Sequence, residues 1–212
     1  MEFIEVKTIL QRATHGEEWF GIDYNMNLYK GCPHKCIYCD SRSNCYQVED
    51  FDRVRAKKDE IEILNQELKS KRKKGVIGIG SMSDTYNPFE KDYKITRKAL
   101  ELISYYNFGV SIETKSNLII RDIDIFKEIN KKANLILKFT ITSADDTLSR
   151  KIEPNVCVSS ERFKAMKQLS NHGLFVGTLL TPIIPFITDS EENIRNVIKL
   201  SYESGAKFVF SM

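Results

Sequence analysis

Three cysteines lie within eight positions of the sequence, in the segment GCPHKCIYCD. Cys32, Cys36 and Cys39 have the spacing C-x₃-C-x₂-C. Thiolates are soft ligands that select zinc, copper(I) or iron–sulfur clusters, and this length of chain can surround a metal centre a few ångströms across. The segment therefore predicts a metal site. A disulfide between two of the thiols is the alternative, which a reducing compartment disfavours.

The number of cysteines separates two kinds of metal site. A structural zinc requires four protein ligands, and His34, Cys45 and His15 are the candidates for the fourth, although no second C-x₂-C pair follows. A [4Fe–4S] cluster held by three thiolates instead leaves one iron without a protein ligand. Because that iron can bind a small molecule, three cysteines indicate a catalytic site rather than a simple electron carrier.

The hydrophobic pattern of the chain alternates between the periods of strands and helices. We expect strands at residues 22–29, 76–80, 109–113, 134–142, 174–180 and 207–211, and helices within residues 51–73, 93–106, 125–129, 163–169 and 194–198. Strict alternation implies a parallel sheet with right-handed crossovers, either doubly wound or an incomplete barrel. In both folds ligands collect at the carboxyl ends of the strands, and the three cysteines directly follow the first strand.

Composition fits an ordinary globular protein. The 212 residues predict a single domain over residues 1–212, and the net charge of +3, from 32 basic and 29 acidic residues, neither demands nor excludes a nucleic-acid partner. The sequence has no signal-peptide pattern, no apolar run long enough to span a membrane, and an odd number of cysteines, so we expect a cytoplasmic protein. No helix follows the sixth strand, which suggests that the natural chain continues or that a partner covers this edge.

The only run of like charges is KSKRKKG at residues 69–75. We interpret it as the solvated end of a helix, where cations also suit the helix dipole. A phosphate-binding patch is the alternative.

The aromatic Tyr38 before the last cysteine completes a C-x₃-C-x-aromatic-C motif. After the first strand of an alternating fold, this motif resembles the hallmark of the radical S-adenosylmethionine (radical SAM) superfamily. The resemblance implies an α/β fold, a partial (β/α)6 TIM-type barrel of parallel strands, with the chain ending at about the sixth strand. It also implies two cofactors, a [4Fe–4S] cluster bound by Cys32, Cys36 and Cys39, and S-adenosyl-L-methionine.

In that superfamily the open iron chelates the amino and carboxylate groups of S-adenosylmethionine. One electron, from an external reductant such as flavodoxin or ferredoxin, cleaves the sulfonium to methionine and a 5′-deoxyadenosyl radical. The radical then abstracts hydrogen from a substrate. The resemblance therefore implies a radical SAM enzyme.

Four further segments resemble the spore photoproduct lyase-like branch, also described as DNA repair photolyase-related. Each lies at the end of a predicted strand: IGSMSDTYNPFE at 79–90, ETKSNLIIRD at 113–122, FTITSADDTLSRKIEP at 139–154 and TPIIP at 181–185. Each segment alone is weak evidence for the branch, but the order of the four segments at successive strand ends is specific. The branch implies lyase-like chemistry and a possible nucleic-acid substrate.

The resemblance assigns Lys115, at the end of the third strand, to the carboxylate of S-adenosylmethionine. It assigns the end of the second strand, Ser83 and Asp84, to the amine of the methionine group. A solvated surface charge is the alternative for Lys115, and Asp84 alternatively begins a turn before Tyr-Asn-Pro.

Three other residues complete the expected cofactor site. Thr140 and Thr142 alternate along the fourth strand, so their hydroxyls are expected to face the ribose, unless they serve only as strand formers. Tyr38 is expected to offer backbone polar groups to the adenine, with a core tyrosine as the alternative. Glu153 and Arg150 either fix a loop, contact the cofactor or form an ion pair. No side chain is assigned a catalytic role beyond the cluster.

One departure from the branch concerns the substrate. Spore photoproduct lyase repairs a thymine dimer with a cysteine hydrogen-atom donor near the end of the second strand, where this chain has SMSD and no cysteine. Neither a serine hydroxyl nor a methionine thioether readily replaces a thiol, so the same repair by the same route is not expected. Two alternatives to an active enzyme are a non-catalytic, metal- or cluster-stabilised nucleic-acid-binding module that uses residues 69–75, and an inactive fragment.

Overall fold

The computed structural model describes residues 1–13 and 20–211, so His15, one of the candidate zinc ligands, lies outside the described residues. The strands are β1 Glu2–Ile4, β2 Leu10–Arg12, β3 Tyr24–Met26, β4 Tyr29–Lys30, β5 Arg55–Lys57, β6 Val76–Ile79, β7 Gly109–Thr114, β8 Leu135–Thr140, β9 Val176–Leu180 and β10 Val209–Ser211. The α-helices are α1 Glu60–Ser70, α2 Glu90–Tyr93, α3 Ile95–Tyr105, α4 Ile123–Asn130, α5 Asp146–Ile152, α6 Ser159–Asn171 and α7 Glu191–Glu203. Short 3₁₀ helices occupy Asp40–Arg42, Asn44–Tyr46 and Asn117–Asp122.

The main sheet of the described chain has the order β10-β9-β8-β7-β6-β3-β2. Its first six strands pair in parallel, and β2 pairs with β3 in the antiparallel sense. The parallel strands are the six that the sequence predicts, and they follow one another in chain order. The sheet ends at β2 and β10 without closing, which confirms the α/β fold with a parallel, partial-barrel sheet.

The parallel strands are covered on both faces, which explains their nearly continuous apolar sequences. Ile77, Val110, Leu137 and Val176 come from four neighbouring strands, and all four side chains are fully buried. Helices joined to these strands present apolar faces to the same core. None of the helices in the described part of the chain is long and apolar enough to cross a membrane.

A second sheet of three strands flanks the cysteine segment in the chain, because β1 and β4 precede it and β5 follows it. It has the order β1-β5-β4, and its central strand β5 corrects the predicted helix over residues 51–73, because the helix begins only at Glu60. Asp59 has a left-handed φ of 54° that separates the strand from the helix. The strand has the sequence Arg-Ala-Lys, which contains no apolar run that would indicate a strand. This sheet matters for the site because β4 ends at Lys30, two residues before Cys32.

The basic run at 69–75 lies at the opposite end of the sheet from the cysteines, because it directly precedes β6. The ammonium of Lys71 lies 5.6 Å from the centroid of the Tyr24 ring, and that of Lys74 lies 4.7 Å from the centroid of Phe108. These lysines therefore cover aromatic faces at the amino ends of the strands and take no part in the cysteine site.

Candidate functional site

A cavity of about 400 Å³ lies at the carboxyl ends of the parallel strands. Seven of the predicted site residues border it: Cys32, Cys36, Cys39, Tyr38, Asp84, Lys115 and Thr140. Ser83 and Thr142 are not among its lining residues. The parallel topology thus brings together side chains from four separate strand ends, as expected for this class of sheet.

The cysteine segment is held in place by its backbone. The amide of Cys32 donates to the carbonyl of Phe51 over 2.7 Å, and Gly31 has a φ of 84°. A Cβ atom at Gly31 would lie only 2.4 Å from the carbonyl oxygen of Arg53. The hydroxyl of Ser83 donates to the carbonyl of Gly31. Ser83 therefore fixes the loop in front of Cys32, and its hydroxyl is engaged there rather than in the cavity.

The arrangement of the thiols distinguishes a cluster from a single ion. Within residues 1–13 and 20–211, no three His, Cys, Asp or Glu side chains converge on one metal-ion position, as a mononuclear zinc would require. Cys32, Cys36 and Cys39 instead border a larger volume, which suits a polynuclear iron–sulfur cluster. Two of the candidates for a fourth zinc ligand, His34 and Cys45, lie within the described residues. Cys45 is exposed and does not border the cavity.

Burial makes two of the thiols, those of Cys32 and Cys36, weaker acids than a free cysteine. It raises the pKa of Cys32 to about 12, and the carboxylate of Asp84 adds to the shift. Burial also raises the pKa of Cys36, against the opposing effect of Lys115. A cationic centre that stabilises thiolates would therefore fit this donor set.

Lys115 follows the last residue of β7 and projects a cation into the cavity. Its ammonium lies 5.7 Å from the centroid of the Tyr38 ring, and no carboxylate in the described chain lies within 4.0 Å of it. Burial lowers the pKa of Lys115, but Cys36, Glu153 and Asp84 outweigh burial and raise it. The side chain thus keeps its charge without a close ion-pair partner in the described residues, which suits an anionic ligand group.

Asp84 connects the second and third strand ends. Its carboxylate is buried and accepts from the hydroxyl of Thr114 at 2.7 Å, the amide of Lys115 at 2.8 Å and the amide of Tyr86 at 2.9 Å. The last bond is the turn expected from the sequence, and the first two fix the backbone that carries Lys115. His34, which sequence reasoning considered only as a zinc ligand, borders the same cavity with its Nδ1 atom 3.6 Å from Asp84. Burial lowers the pKa of His34, although Asp84 opposes this.

Tyr38 is fixed by a buried ion pair that the sequence did not indicate. Its hydroxyl donates to Glu153, and the same carboxylate lies 2.5 Å from the guanidinium of Arg162. Glu153 and Arg162 are both fully buried. Arg150, the partner considered from the sequence, is therefore not the partner of Glu153. The guanidinium of Arg162 also donates to the carbonyl of Thr140 at 3.0 Å, which connects Tyr38 to the end of β8.

The two threonines of the fourth parallel strand have different surroundings. Thr140 is the last residue of β8 and borders the cavity. Thr142 lies beyond the strand, and its hydroxyl is buried with no hydrogen-bond partner in the described chain. The alternation that predicts a shared face holds only within a strand, and β8 ends before it reaches Thr142.

Comparison with known proteins agrees with this geometry. A family model described as the radical SAM superfamily matches residues 26–198. The uncharacterized protein MJ0683 of Methanocaldococcus jannaschii is 35% identical over 173 residues, which are 81% of this chain and 64% of that protein. The uncharacterized protein Rv2578c of Mycobacterium tuberculosis is 24% identical over 190 residues, 86% of this chain and 56% of that protein. The chain thus spans less than two thirds of the length of these relatives.

Solved structures share the fold at low sequence identity. Spore photoproduct lyase complexed with dinucleoside spore photoproduct superposes with a TM-score of 0.66 at 18% identity, over 95% of this chain and 56% of that chain. A double mutant of the lyase with bound AdoMet and dinucleoside spore photoproduct gives a TM-score of 0.62 at 17% identity, over 88% and 52% of the two chains. Together with the family match over residues 26–198, the fold shows that the chain belongs to the radical SAM superfamily, which uses a [4Fe–4S] cluster and S-adenosylmethionine.

Proposed function

We propose that residues 1–212 form a single radical SAM core domain in which Cys32, Cys36 and Cys39 ligate three irons of a [4Fe–4S] cluster. The observation that carries this proposal is that these three thiols and the cation of Lys115 border one cavity at the strand ends. When bound, the reduced cluster supplies an electron that breaks the sulfonium bond to C5′ of S-adenosylmethionine, giving methionine and a 5′-deoxyadenosyl radical that takes hydrogen from the substrate.

The side chains of this chain bind and orient the cofactor. Lys115 pairs with the cofactor carboxylate, because its ammonium has no close carboxylate among the described residues. Asp84 accepts from the cofactor amine and also holds the backbone of Lys115. The hydroxyl of Thr140 faces the ribose, and the backbone of Tyr38 contacts the adenine. Ser83 acts on the cofactor indirectly, as a positioning residue for the cysteine segment.

The substrate we propose is a nucleic acid or a component of one. This is supported by the resemblance to the spore photoproduct lyase-like branch and by the similarity of the fold to a lyase complexed with a dinucleoside. Ser81 and Met82 border the cavity at the second strand end, and neither carries a thiol. Thymine-dimer repair with a cysteine donor at this position is therefore not part of the proposal.

The proposal includes a one-electron reductant such as flavodoxin or ferredoxin, because a cluster held by Cys32, Cys36 and Cys39 would need an electron from outside before the sulfonium could be cleaved. We propose a cytoplasmic location, since free thiols at a metal site require a reducing compartment.

An anaerobic cleavage assay tests the proposal. The chain is reconstituted with iron and sulfide, reduced with dithionite and supplied with S-adenosylmethionine, and 5′-deoxyadenosine is measured by mass spectrometry. Cys36→Ser is expected to abolish the product, whereas Cys45→Ser, an exposed cysteine outside the cavity, retains it. A chain that purifies with stoichiometric zinc and yields no product after iron loading would show the proposal to be wrong. Deuterium transfer from labelled oligodeoxynucleotide into 5′-deoxyadenosine tests the substrate class.

A further inference from the structure

The cofactor cavity is the cavity of about 400 Å³ that Cys32, Cys36, Cys39 and Lys115 border. A second, smaller cavity adjoins it on the side of the three-stranded sheet. Its volume is about 210 Å³, and Tyr46 and Met82 border both cavities. Sites for whole small molecules usually measure roughly 300–1,000 Å³. The smaller cavity is therefore large enough for one functional group of a ligand, and the rest of that ligand would lie in the cofactor cavity.

Two lysines border this smaller cavity. Lys30 ends β4 and Lys57 ends β5, and the two strands are antiparallel neighbours. Both residues are half-buried, and neither ammonium has a carboxylate within 4.0 Å in the described part of the chain. The charge of Glu67 favours the ammonium of Lys57 but does not outweigh its burial, and Lys30 adds repulsion. The excess positive charge in this partly dehydrated cavity is therefore unfavourable. Bound anionic charge would remove that cost.

An unsatisfied acceptor lies beside the two lysines. The side-chain oxygen of Asn27 is buried and has no hydrogen-bond partner among the described residues, although buried polar atoms normally have one. The hydroxyl groups of the cavity are engaged, because that of Tyr29 donates to Glu90, that of Ser83 to the carbonyl of Gly31 and that of Tyr46 to Asp40. The groups left for a ligand among the described residues are thus two ammonium groups and the side-chain amide of Asn27.

This set of groups matches a phosphate with a neighbouring hydroxyl or N–H donor. Lysine binds phosphate as a point charge, and the amide oxygen of Asn27 accepts from the neighbouring donor. The rings of Tyr46 and Phe51 form part of the wall, which suits the planar or apolar part of a nucleotide. A carboxylate ligand would use the lysines but offers less charge to two cations.

We propose that the lysine pocket, defined by Asn27, Lys30, Tyr46, Lys57 and Met82, binds a phosphate group of the substrate. The substrate is then a phosphorylated molecule, either a mononucleotide or a strand of nucleic acid, whose reacting part extends past Met82 into the cofactor cavity. This inference rests on the proposed function and names the chemical class of its substrate.

Calorimetric titration of the reconstituted chain with inorganic phosphate, without S-adenosylmethionine, tests the pocket directly. We expect Lys30→Gln and Lys57→Gln to weaken phosphate binding at least tenfold. Lys58→Gln is the matched control, because Lys58 is the next residue but is exposed and paired with Glu5 at 2.7 Å. The affinity of the Lys58→Gln variant for phosphate is expected to stay within twofold of that of the wild type. No binding by the wild-type chain, or equal binding by all four proteins, overturns the proposal.

A measurement on the wild-type chain keeps the test independent of any folding defect in the variants. The side-chain amide resonances of Asn27 are expected to shift on addition of phosphate and to remain unchanged with chloride at equal ionic strength. Unchanged resonances in phosphate would count against the pocket.

Repeating the titration with a 5′-mononucleotide and with a short oligodeoxynucleotide distinguishes the two sources of phosphate, since the natural source is expected to bind more tightly than phosphate alone. The outcome is separable from that of the cleavage assay. A chain that makes 5′-deoxyadenosine but binds no phosphate refutes the pocket alone, and one that binds phosphate but makes none refutes the proposed function alone.

Discussion

The hydroxyl of Tyr38 donates a hydrogen bond to the carboxylate of Glu153, a residue 115 positions further along the chain. Glu153 in turn pairs with Arg162 on α6. The aromatic residue inside the cysteine motif is therefore fixed to the segment that follows the fourth parallel strand. This hydrogen bond joins the cysteine segment, which follows the first parallel strand, to the segment that follows the fourth.

Removing the charge of Glu153 tests how far the fold depends on this contact. Glu153→Gln leaves the fully buried guanidinium of Arg162 without a carboxylate, and breaking a buried pair in this way costs about 3–5 kcal/mol. We expect the free energy of unfolding in urea to fall by that amount. Glu161→Gln, an exposed change on α6, the helix that carries Arg162, is expected to alter this free energy by less than about 0.5 kcal/mol. Similar losses in both variants would contradict the assignment.

Gly31 controls the geometry of the cysteine segment. A Cβ atom there would lie 2.4 Å from the carbonyl oxygen of Arg53 and 2.7 Å from that of Phe51. Because these are backbone atoms, relief would require the segment to move and would break the hydrogen bond from Cys32 to Phe51. We expect Gly31→Ala to lose most of its iron after reconstitution, measured as iron per chain.

The control for this change separates steric contact from backbone strain. Gly21 also has a left-handed φ, of 63°, but a Cβ atom there would meet nothing within 4 Å. Gly21→Ala therefore carries only the strain of a left-handed residue, about 1–2 kcal/mol, and is expected to retain its iron. If both variants keep their iron, Gly31 does not control the site.

Lys115 offers a test of cofactor binding that leaves the metal ligands intact. Hydrogen bonds to charged groups contribute about 1.5–3 kcal/mol, so Lys115→Gln is expected to weaken S-adenosylmethionine binding roughly ten- to a hundredfold. Iron content is expected to stay at the wild-type value. Lys35→Gln, in the cysteine segment but with a side chain that is 54% exposed, should bind the cofactor normally. Unchanged affinity in Lys115→Gln would exclude Lys115 from the cofactor site.

Four of the six parallel strands, β6 to β9, were predictable because each is a largely buried run of four to six residues. The strands β3 and β10 are only three residues long and partly buried, and they lie within longer apolar or alternating segments of the sequence. The three-residue strands β1 and β5 have no such run, and their pairing depends on chain segments about fifty residues apart. The small sheet was therefore missed, and with it the pocket that contains Lys30 and Lys57.

The candidate site was also only partly predictable from the sequence. That Cys32, Asp84 and Lys115 meet at one end of the sheet follows from parallel topology alone. The direction of an individual side chain does not, because it depends on where a strand ends and how the next loop runs. Ser83 turns to Gly31 for this reason. Arg162 gave no signal at all, since an arginine on an amphipathic helix is ordinarily a surface residue, and only the tertiary fold brings it to Glu153.

Lys57 makes the stability of the chain depend on pH. Burial lowers its pKa from the ordinary value of 10.5, Glu67 opposes the shift, and Lys30 adds to it. Between the lowered pKa of the folded chain and 10.5, the unfolded chain binds more protons than the folded one. The contribution of this group to the free energy of unfolding therefore increases with pH in that interval.

Lys57→Met removes the buried cation and, with it, this pH dependence. We expect the variant to be more stable than wild type at pH 7 in urea unfolding followed by circular dichroism. The difference is expected to shrink as the pH rises through the lowered pKa of Lys57 and to vanish above about pH 10.5. Lys58→Met should behave in the opposite sense, because the hydrogen bond and charge of Glu5 raise the pKa of Lys58, so that its stabilisation is present at pH 7 and lost at high pH. A Lys57→Met difference that does not change between pH 7 and a pH above 10.5 would mean that burial does not lower the pKa of Lys57 in the folded chain.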